Sequence, residues 1–138
     1  MQLRELHRRA QQRRQWQPLQ VRTAAECSVG VLGLGSLGQA VLAQLVALGF
    51  DATGWSRSRC DLPGVRCHAG DDELDAFLAR TDILVSLLPA TPDTDGIISR
   101  ATIRKLFRNG PFGAPIVINA GRGRQQVGED ILAALDAG

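Results

Sequence analysis

Long apolar segments are absent from this 138-residue sequence. A transmembrane helix needs a run of about 18 apolar residues, so we expect no membrane partner. The N-terminal stretch also lacks the apolar core of a secretory signal. With 44% apolar and 22% charged residues, the composition is that of an ordinary globular domain.

Cysteine is sparse, and its spacing lacks the patterns of a disulfide framework or a zinc site. Cys27, Cys60 and Cys67 are odd in number and form no CxxC pair. Cys60 and Cys67, taken with His68, match no zinc template and lack a fourth ligand. We therefore predict three reduced thiols in a cytoplasmic protein, and no metal site.

A strong overall charge is also lacking, because the net value is only +2. Residues 1–22 hold six arginines and one glutamate, a net +5, whereas residues 23–138 hold ten basic and thirteen acidic side chains, a net −3. A mildly acidic domain does not favour nucleic acid as a partner. We predict a basic arm over residues 1–22, with a solvated helix face rather than a binding role, and a separate domain over residues 23–138.

Strand and helix patterns alternate along the chain, without internal repeats. The first helix, over residues 2–16, is expected to end before Pro18. Predicted strands are Ser28–Leu32, Phe50–Trp55, Asp82–Leu88 and Ile116–Asn119, the last two buried; predicted helices are Ser36–Leu48, Asp71–Ala79, Ser99–Phe107 and Glu129–Ala137. This alternation predicts an α/β fold with a doubly wound parallel sheet of the Rossmann type.

A glycine-rich turn follows the first predicted strand and opens a helix. Its sequence, Gly33-Leu34-Gly35-Ser36-Leu37-Gly38, fits the GxGxxG pattern of dinucleotide-binding turns. Gly33 would permit the tight turn, Gly35 the approach of a pyrophosphate, and Gly38 close packing of the helix. The amides of Ser36 and Leu37 would face the phosphates. An ordinary strand–helix turn is the alternative.

The end of the second predicted strand lacks the acidic residue that usually binds a free ribose 2′-hydroxyl. It carries Ser56-Arg57-Ser58-Arg59 instead. Guanidinium and hydroxyl groups suit a 2′-phosphate. We therefore expect NADP(H) to be preferred, with NAD(H) possible. An exposed basic loop without a ligand remains the alternative.

Two more loops follow predicted strands, at the edge where open α/β sheets bind ligands. The first contains Leu88, Pro89 and Thr94, and the second contains Arg122. An arginine in that crevice would suit a substrate with a carboxylate and a ketone. A loop salt bridge is the alternative for Arg122, and it is the role that we predict for Arg124.

Together these motifs resemble the D-isomer-specific 2-hydroxyacid dehydrogenases, and within them the glyoxylate/hydroxypyruvate reductase A group. The resemblance runs from about Trp16 to Gly138 and rests on VGVLGLGSLG, GWSRSR, DILVSLLPATPDTDGII and INAGRGRQQVGEDILAALDAG. It implies a homodimer, a helix over residues 2–16 that bridges two domains, and a catalytic role for Arg122. That arginine lies in a GRG where many members have ARG. The cofactor loops implied are Gly35 to Leu37, Ser56 to Arg59, Leu88-Pro89, Thr94 and Ala120-Gly121.

The resemblance also implies that parts of the enzyme are missing from this chain. The family has a substrate domain, and its catalytic glutamate and histidine follow the arginine, whereas His7 and His68 precede Arg122. We therefore expect a truncated Rossmann domain from an NADPH-preferring reductase of small 2-oxo acids such as glyoxylate or hydroxypyruvate.

Two other functions remain open. The first is a non-catalytic dinucleotide-binding module. The second is a domain of the 3-hydroxyacid dehydrogenases, which use a lysine from a later domain; Lys105 is the only lysine here.

Overall fold

A computed structural model describes residues 3–16, 22–106 and 113–137 of the chain. Helices and strands alternate through these residues, as the sequence predicts. The helices are α1 (Leu3–Gln12), α2 (Ser36–Ala47), α3 (Gly70–Leu78), α4 (Arg100–Lys105) and α5 (Gly128–Asp136), and the strands are β1 (Ser28–Leu32), β2 (Asp51–Ser56), β3 (Arg66–Ala69), β4 (Ile83–Ser86) and β5 (Ile116–Asn119). No described helix is long and apolar enough to cross a membrane.

The strands form one parallel sheet in the order β3-β2-β1-β4-β5. Val29 of β1 pairs with Ala52 on one side and with Ile83 on the other. The first strand, β1, therefore lies in the middle of the sheet. β2 and β3 extend the sheet to one edge, and β4 and β5 extend it to the other. This topology confirms the predicted doubly wound α/β fold. It also opens a crevice at the carboxyl ends of β1 and β4, where the direction reverses.

Apolar side chains cover both faces of the sheet. Successive strand residues point to opposite faces, so Leu32 and Val31 of β1 enter different clusters. One cluster comprises Leu32, Trp55, Phe77, Leu78, Leu84, Leu88 and Leu106. The other comprises Val31, Leu34, Leu42 and Ala52. These two layers hold the helices against the sheet and fix the loops at its carboxyl edge.

The structure corrects two predictions about strands. β3 was not predicted, because the sequence Arg-Cys-His-Ala lacks an apolar pattern; it forms through parallel pairing with β2. The prediction that Ile116–Asn119 is buried was wrong, since Ile116 is 38% exposed and Ile118 47% exposed. β5 lies at the edge of the sheet, where one side has no neighbouring strand among the described residues.

Smaller boundary differences leave the architecture unchanged. The strand predicted over Asp82–Leu88 spans only Ile83–Ser86, and the first helix ends at Gln12. Pro18 and Phe107 lie outside the described residues, as does Gly138. The assignment of residues 1–22 as a segment linking two domains stays a prediction.

Candidate functional site: a groove at the carboxyl edge of the sheet

The glycine-rich loop passes from β1 into α2 through a turn that two of its glycines make possible. Gly33 has φ +100°, a conformation that L side chains rarely adopt, and its N–H donates to the Trp55 carbonyl at 2.8 Å. A Cβ at Gly33 would lie 3.0 Å from the Leu87 carbonyl oxygen. A Cβ at Gly38 would overlap the Gly33 carbonyl oxygen. Both glycines are thus required by the backbone itself.

At Gly35, by contrast, no contact within the protein requires a glycine. The residue is exposed, its backbone is extended, and a Cβ there would meet no atom within 4 Å. It caps the N-terminus of α2 without a side-chain hydrogen bond. The first turn of a helix leaves its N–H groups without partners inside the helix, and the helix dipole adds partial positive charge there. This bare helix end therefore fits a phosphate group.

A cleft of about 980 Å³ opens above this loop. Parallel strands end at the same edge of a sheet, so loops after β1, β2 and β4 meet around the cleft. They bring together most of the predicted cofactor residues: Gly33, Gly35, Ser36, Leu37, Gly38, Ser56, Arg57, Ser58, Arg59, Leu88, Pro89 and Thr94. The volume is within the range of small-molecule and cofactor sites.

The basic loop after β2 forms one rim of this cleft. The Arg57 guanidinium lies 2.8 Å from an Asp93 carboxylate oxygen, across the cleft. Arg59 is 83% exposed on its side chain and lies 3.8 Å from a Glu73 oxygen. The Ser56 hydroxyl donates to the Ser58 carbonyl at 2.6 Å. Two guanidinium groups therefore lie at this rim, each near a carboxylate from another element.

A second, smaller cleft of about 210 Å³ lies beside the loop after β5. It contains the remaining predicted residues, Ala120, Gly121 and Arg122. The two clefts share four lining residues, namely Leu37, Leu87, Leu88 and Pro89. They therefore form one continuous groove, with Arg57 and Arg59 at one end and Arg122 at the other.

Asn119 and Gln125 set the backbone conformation of the Arg122 loop. The Asn119 side chain accepts from the Gly121 N–H at 3.0 Å and donates to the Arg122 carbonyl at 3.2 Å. The Gln125 side chain accepts from the Arg122 N–H at 2.8 Å. A Cβ at Gly121 would overlap the Gln125 Oε1 atom. Gly121 therefore leaves room for the Gln125 side chain.

Arg124 takes the structural role that the sequence analysis predicts. Its guanidinium forms an ion pair with Asp95, and this hydrogen-bonded carboxylate raises the pKa of Arg124. The Arg124 carbonyl also accepts from the Gly96 N–H at 3.0 Å. Arg122 lies in the groove. Arg124 does not line the groove, and its bonds to Asp95 and Gly96 connect the loop after β5 to the loop after β4.

Thr94 lines the groove, but its hydroxyl bonds within the protein. The hydroxyl lies 2.6 Å from the Pro89 carbonyl, to which it donates, and 3.1 Å from the Thr91 carbonyl. Thr94 therefore stabilises the loop after β4. Its hydroxyl can donate to a ligand only if its hydrogen bond to the Pro89 carbonyl is broken.

Two polar residues were not predicted from the sequence: Asp93, which lines the groove, and Gln125, which is buried and bonds to two of the loops that form it. Asp93 lies within a quoted motif, between Pro92 and Thr94, yet its pairing with Arg57 joins residues 36 positions apart. Gln125 follows Arg122 by three positions, with no pattern that indicates its buried bonds. No signal in a single sequence reports such contacts between distant loops.

Cys27, Cys60, Cys67 and His68 belong to no group of three potential metal ligands among the described residues. Within residues 3–16, 22–106 and 113–137, no three His, Cys, Asp or Glu side chains gather around one point. Cys27, Cys60 and Cys67 are free thiols. Burial raises the pKa of the Cys27 and Cys67 thiols.

Comparisons with known proteins agree with this geometry. Residues 1–138 match the family described as D-isomer specific 2-hydroxyacid dehydrogenase, NAD binding domain. The crystal structure of an NADPH-dependent glyoxylate/hydroxypyruvate reductase from Sinorhizobium meliloti has 48% sequence identity and a TM-score of 0.87, over 97% of this chain and 52% of that one.

Two further solved structures are similar along nearly the whole chain. A probable 2-hydroxyacid dehydrogenase from Rhizobium etli, in complex with NADP, HEPES and L(+)-tartaric acid, is 47% identical with a TM-score of 0.85, over 98% of this chain and 42% of that one. A family member from Xanthobacter autotrophicus, in complex with NADPH and MES, is 41% identical with a TM-score of 0.82, over 96% and 53%. The chain thus spans about half the length of these proteins.

Proposed function

We propose that the whole protein carrying this chain reduces small 2-oxo acids with NADPH. The premise is that the chain belongs to the D-isomer-specific 2-hydroxyacid dehydrogenase family, as its NAD-binding domain. Membership confirms the resemblance that four sequence motifs indicate. It also decides against a domain of the 3-hydroxyacid dehydrogenases. The substrates that we propose are those of the glyoxylate and hydroxypyruvate type, because the similar protein from Sinorhizobium meliloti is described as a reductase of both.

The continuous groove is the observation that carries this proposal. It runs past the α2 N-terminus and joins the basic rim at Arg57 and Arg59 to the second cleft at Arg122. A dinucleotide has a phosphate centre and two ends, so a continuous groove that passes a bare helix N-terminus suits its shape. An isolated nucleotide pocket would not need the second cleft.

Each part of the groove has a proposed role. The amides of Ser36 and Leu37 would bind the pyrophosphate above Gly35. Arg57 and Arg59 would bind the 2′-phosphate, because guanidinium groups form charge-assisted, bidentate bonds with phosphate. NADPH supplies a hydride when bound.

The second cleft would hold the substrate end of the reaction. The Arg122 guanidinium would anchor the carboxylate of the 2-oxo acid and stabilise charge that develops on its carbonyl oxygen. The loop backbone that carries Arg122 is held by Asn119 and Gln125.

NADP(H) rather than NAD(H) is the proposed cofactor for two reasons. The segment Ser56 to Arg59 contains two arginines and no acid. Two of the similar structures were solved with NADP or NADPH.

An assay of the whole protein, expressed from its own open reading frame, tests this function. We expect NADPH to be oxidised with glyoxylate or hydroxypyruvate. Arg122→Gln should lower kcat/KM by about 100-fold, because one charge-stabilising group is lost. Arg104→Gln is the matched control, since Arg104 is an exposed residue of α4 outside the groove.

Two results would contradict the proposal. NADPH binding without turnover on any 2-oxo acid would favour a non-catalytic module. Equal losses in the Arg122→Gln and Arg104→Gln proteins would remove Arg122 from the site.

We also propose that the protein is a cytoplasmic homodimer. The free thiols Cys27, Cys60 and Cys67 suit a reducing compartment, and the dimer follows from the family resemblance. Cell fractionation and light scattering of the whole protein would test these two statements.

A further inference from the structure

Gln125 is a fully buried polar residue between the two parts of the groove. Its relative exposure is 0%. Its side-chain Nε2 group donates to the carbonyls of Leu88 at 2.9 Å and Pro89 at 3.0 Å, and lies 3.4 Å from the Thr94 hydroxyl oxygen. One end of this amide therefore holds the loop after β4.

The other end of the same amide holds the loop after β5. Gln125 Oε1 accepts from the Arg122 N–H at 2.8 Å. The fit around this oxygen is tight, because a Cβ at Gly121 would overlap it. A single side chain thus bonds to both loops, and Gly121 leaves the space that it needs.

We infer that Gln125 is a positioning residue that couples the cofactor loop Leu88-Pro89 to the loop of Arg122. The inference rests on the proposed function. Leu88 and Pro89 line both clefts, whereas Arg122 lines the substrate end. Because one rigid amide connects them, a shift of the cofactor loop is transmitted to the Arg122 backbone, and a shift of that backbone is transmitted back.

The chemistry of the amide makes this coupling specific to glutamine. An amide donates at one end and accepts at the other, whereas a carboxylate only accepts. In its ionised form, Gln125→Glu keeps an acceptor for the Arg122 N–H but places an oxygen without a proton against the Leu88 and Pro89 carbonyls, so this variant is measured at a pH high enough to ionise a buried carboxyl. Gln125→Met keeps a similar volume and loses the bonds to both loops.

These differences predict separate effects on the two ligands of the whole protein. The equilibrium Kd for NADPH, measured by fluorescence titration, should rise about tenfold in both variants, because buried acceptors lose their donor. The KM for the 2-oxo acid should rise about tenfold in Gln125→Met and by less than about threefold in Gln125→Glu, since only the latter retains the bond to Arg122.

Gly121→Ala tests the same coupling with Gln125 intact. The added methyl group would displace Gln125 Oε1 from the Arg122 N–H. We expect the KM for the 2-oxo acid to rise about tenfold and the NADPH Kd to rise in parallel. Every charged side chain proposed to bind either ligand is still present in this variant. In this way a second variant reports on the coupling if a Gln125 variant fails to fold.

Gln126→Glu is the matched control. Gln126 is exposed, and a carboxylate there still accepts from Asn119, which now donates to Gln126 Oε1 at 3.1 Å. If the Gln125 variants change only the amount of folded protein, with the NADPH Kd and the KM equal to those of Gln126→Glu, the inference is overturned. A wild-type protein that binds NADPH but reduces no 2-oxo acid would overturn the proposed function, and this inference with it.

Discussion

Two glycines of one loop have different physical reasons to be glycine. Gly38 packs where a Cβ would overlap the Gly33 carbonyl, whereas a Cβ at Gly35 would enter open space in the groove. The first glycine serves the fold, and the second leaves a surface for a ligand. A methyl group at each position should therefore change different measurable properties.

We expect Gly38→Ala to lower the free energy of unfolding by about 1–3 kcal/mol, because overpacking strains the helix against the loop. This loss outweighs the gain of about 1 kcal/mol that alanine brings to a helix. Gly35→Ala should leave the free energy of unfolding within about 0.5 kcal/mol of wild type but weaken NADPH binding about tenfold.

Urea denaturation and NADPH titration of the two proteins would separate these effects. The assignment of Gly35 to the phosphate site would be wrong if Gly35→Ala bound NADPH as tightly as wild type. A stabilised Gly38→Ala protein would contradict the close packing of α2.

At the scale of elements, the groove depends on contacts between loops that are far apart in sequence. The pairing of Arg57 with Asp93 connects the loop after β2 to the loop after β4. Exposed ion pairs contribute little to stability, so we expect the loss of this pair to change ligand binding more than it changes the free energy of unfolding. Asp93 holds one of the two arginines proposed for the 2′-phosphate and places a negative charge beside that site.

Asp93→Asn should therefore tighten NADPH binding about threefold, because Arg57 is released and a repulsive charge is removed. NADH lacks the 2′-phosphate, so its binding should change much less. The gain should shrink at high salt, since exposed charges are screened. Titrations of both cofactors at low and high ionic strength would measure these effects.

Asp51→Asn removes the same charge from an exposed position at the start of β2, at the opposite edge of the sheet. It should leave the binding of both cofactors unchanged. Weaker NADPH binding by Asp93→Asn would show instead that the pair supports the groove.

The sequence predicts those elements whose own residues carry a local pattern of strand, helix or turn. The glycine loop, the apolar run of β4 and the apolar spacing of α2 carry local signals, so the fold class could be inferred from the sequence, whereas the roles of the predicted site residues stay predictions. β3 could not, because Arg66–Ala69 becomes a strand only by pairing with β2. The exposure of β5 and the buried bonds of Gln125 depend on what the rest of the chain places beside them.

At the scale of the whole molecule, one half-buried histidine links stability to pH. The His68 side chain is 14% exposed and packs edge-on against Phe77, with ring centroids 5.8 Å apart. Burial lowers the pKa of His68 below its ordinary value of 6.5, aided by Arg66 and Arg80 and opposed by the carboxylate of Glu73. The folded protein therefore holds His68 neutral at a pH where the unfolded chain already binds a proton.

The difference between the folded and unfolded pKa of His68 determines the sign of its contribution to the pH dependence of stability. Below about pH 6.5 the unfolded state binds more protons at this site, so the free energy of unfolding falls as the pH falls towards the lowered folded pKa of His68. Gln does not titrate, and His68→Gln should therefore remove this part of the pH dependence. Urea denaturation of both proteins from about pH 7.5 to about pH 5.5 isolates it, because the contributions of carboxylates distant from His68 cancel in the difference. The free energy of unfolding of wild type minus that of His68→Gln should decrease as the pH falls, and a difference that stays constant would show that His68 titrates alike in the folded and unfolded chains.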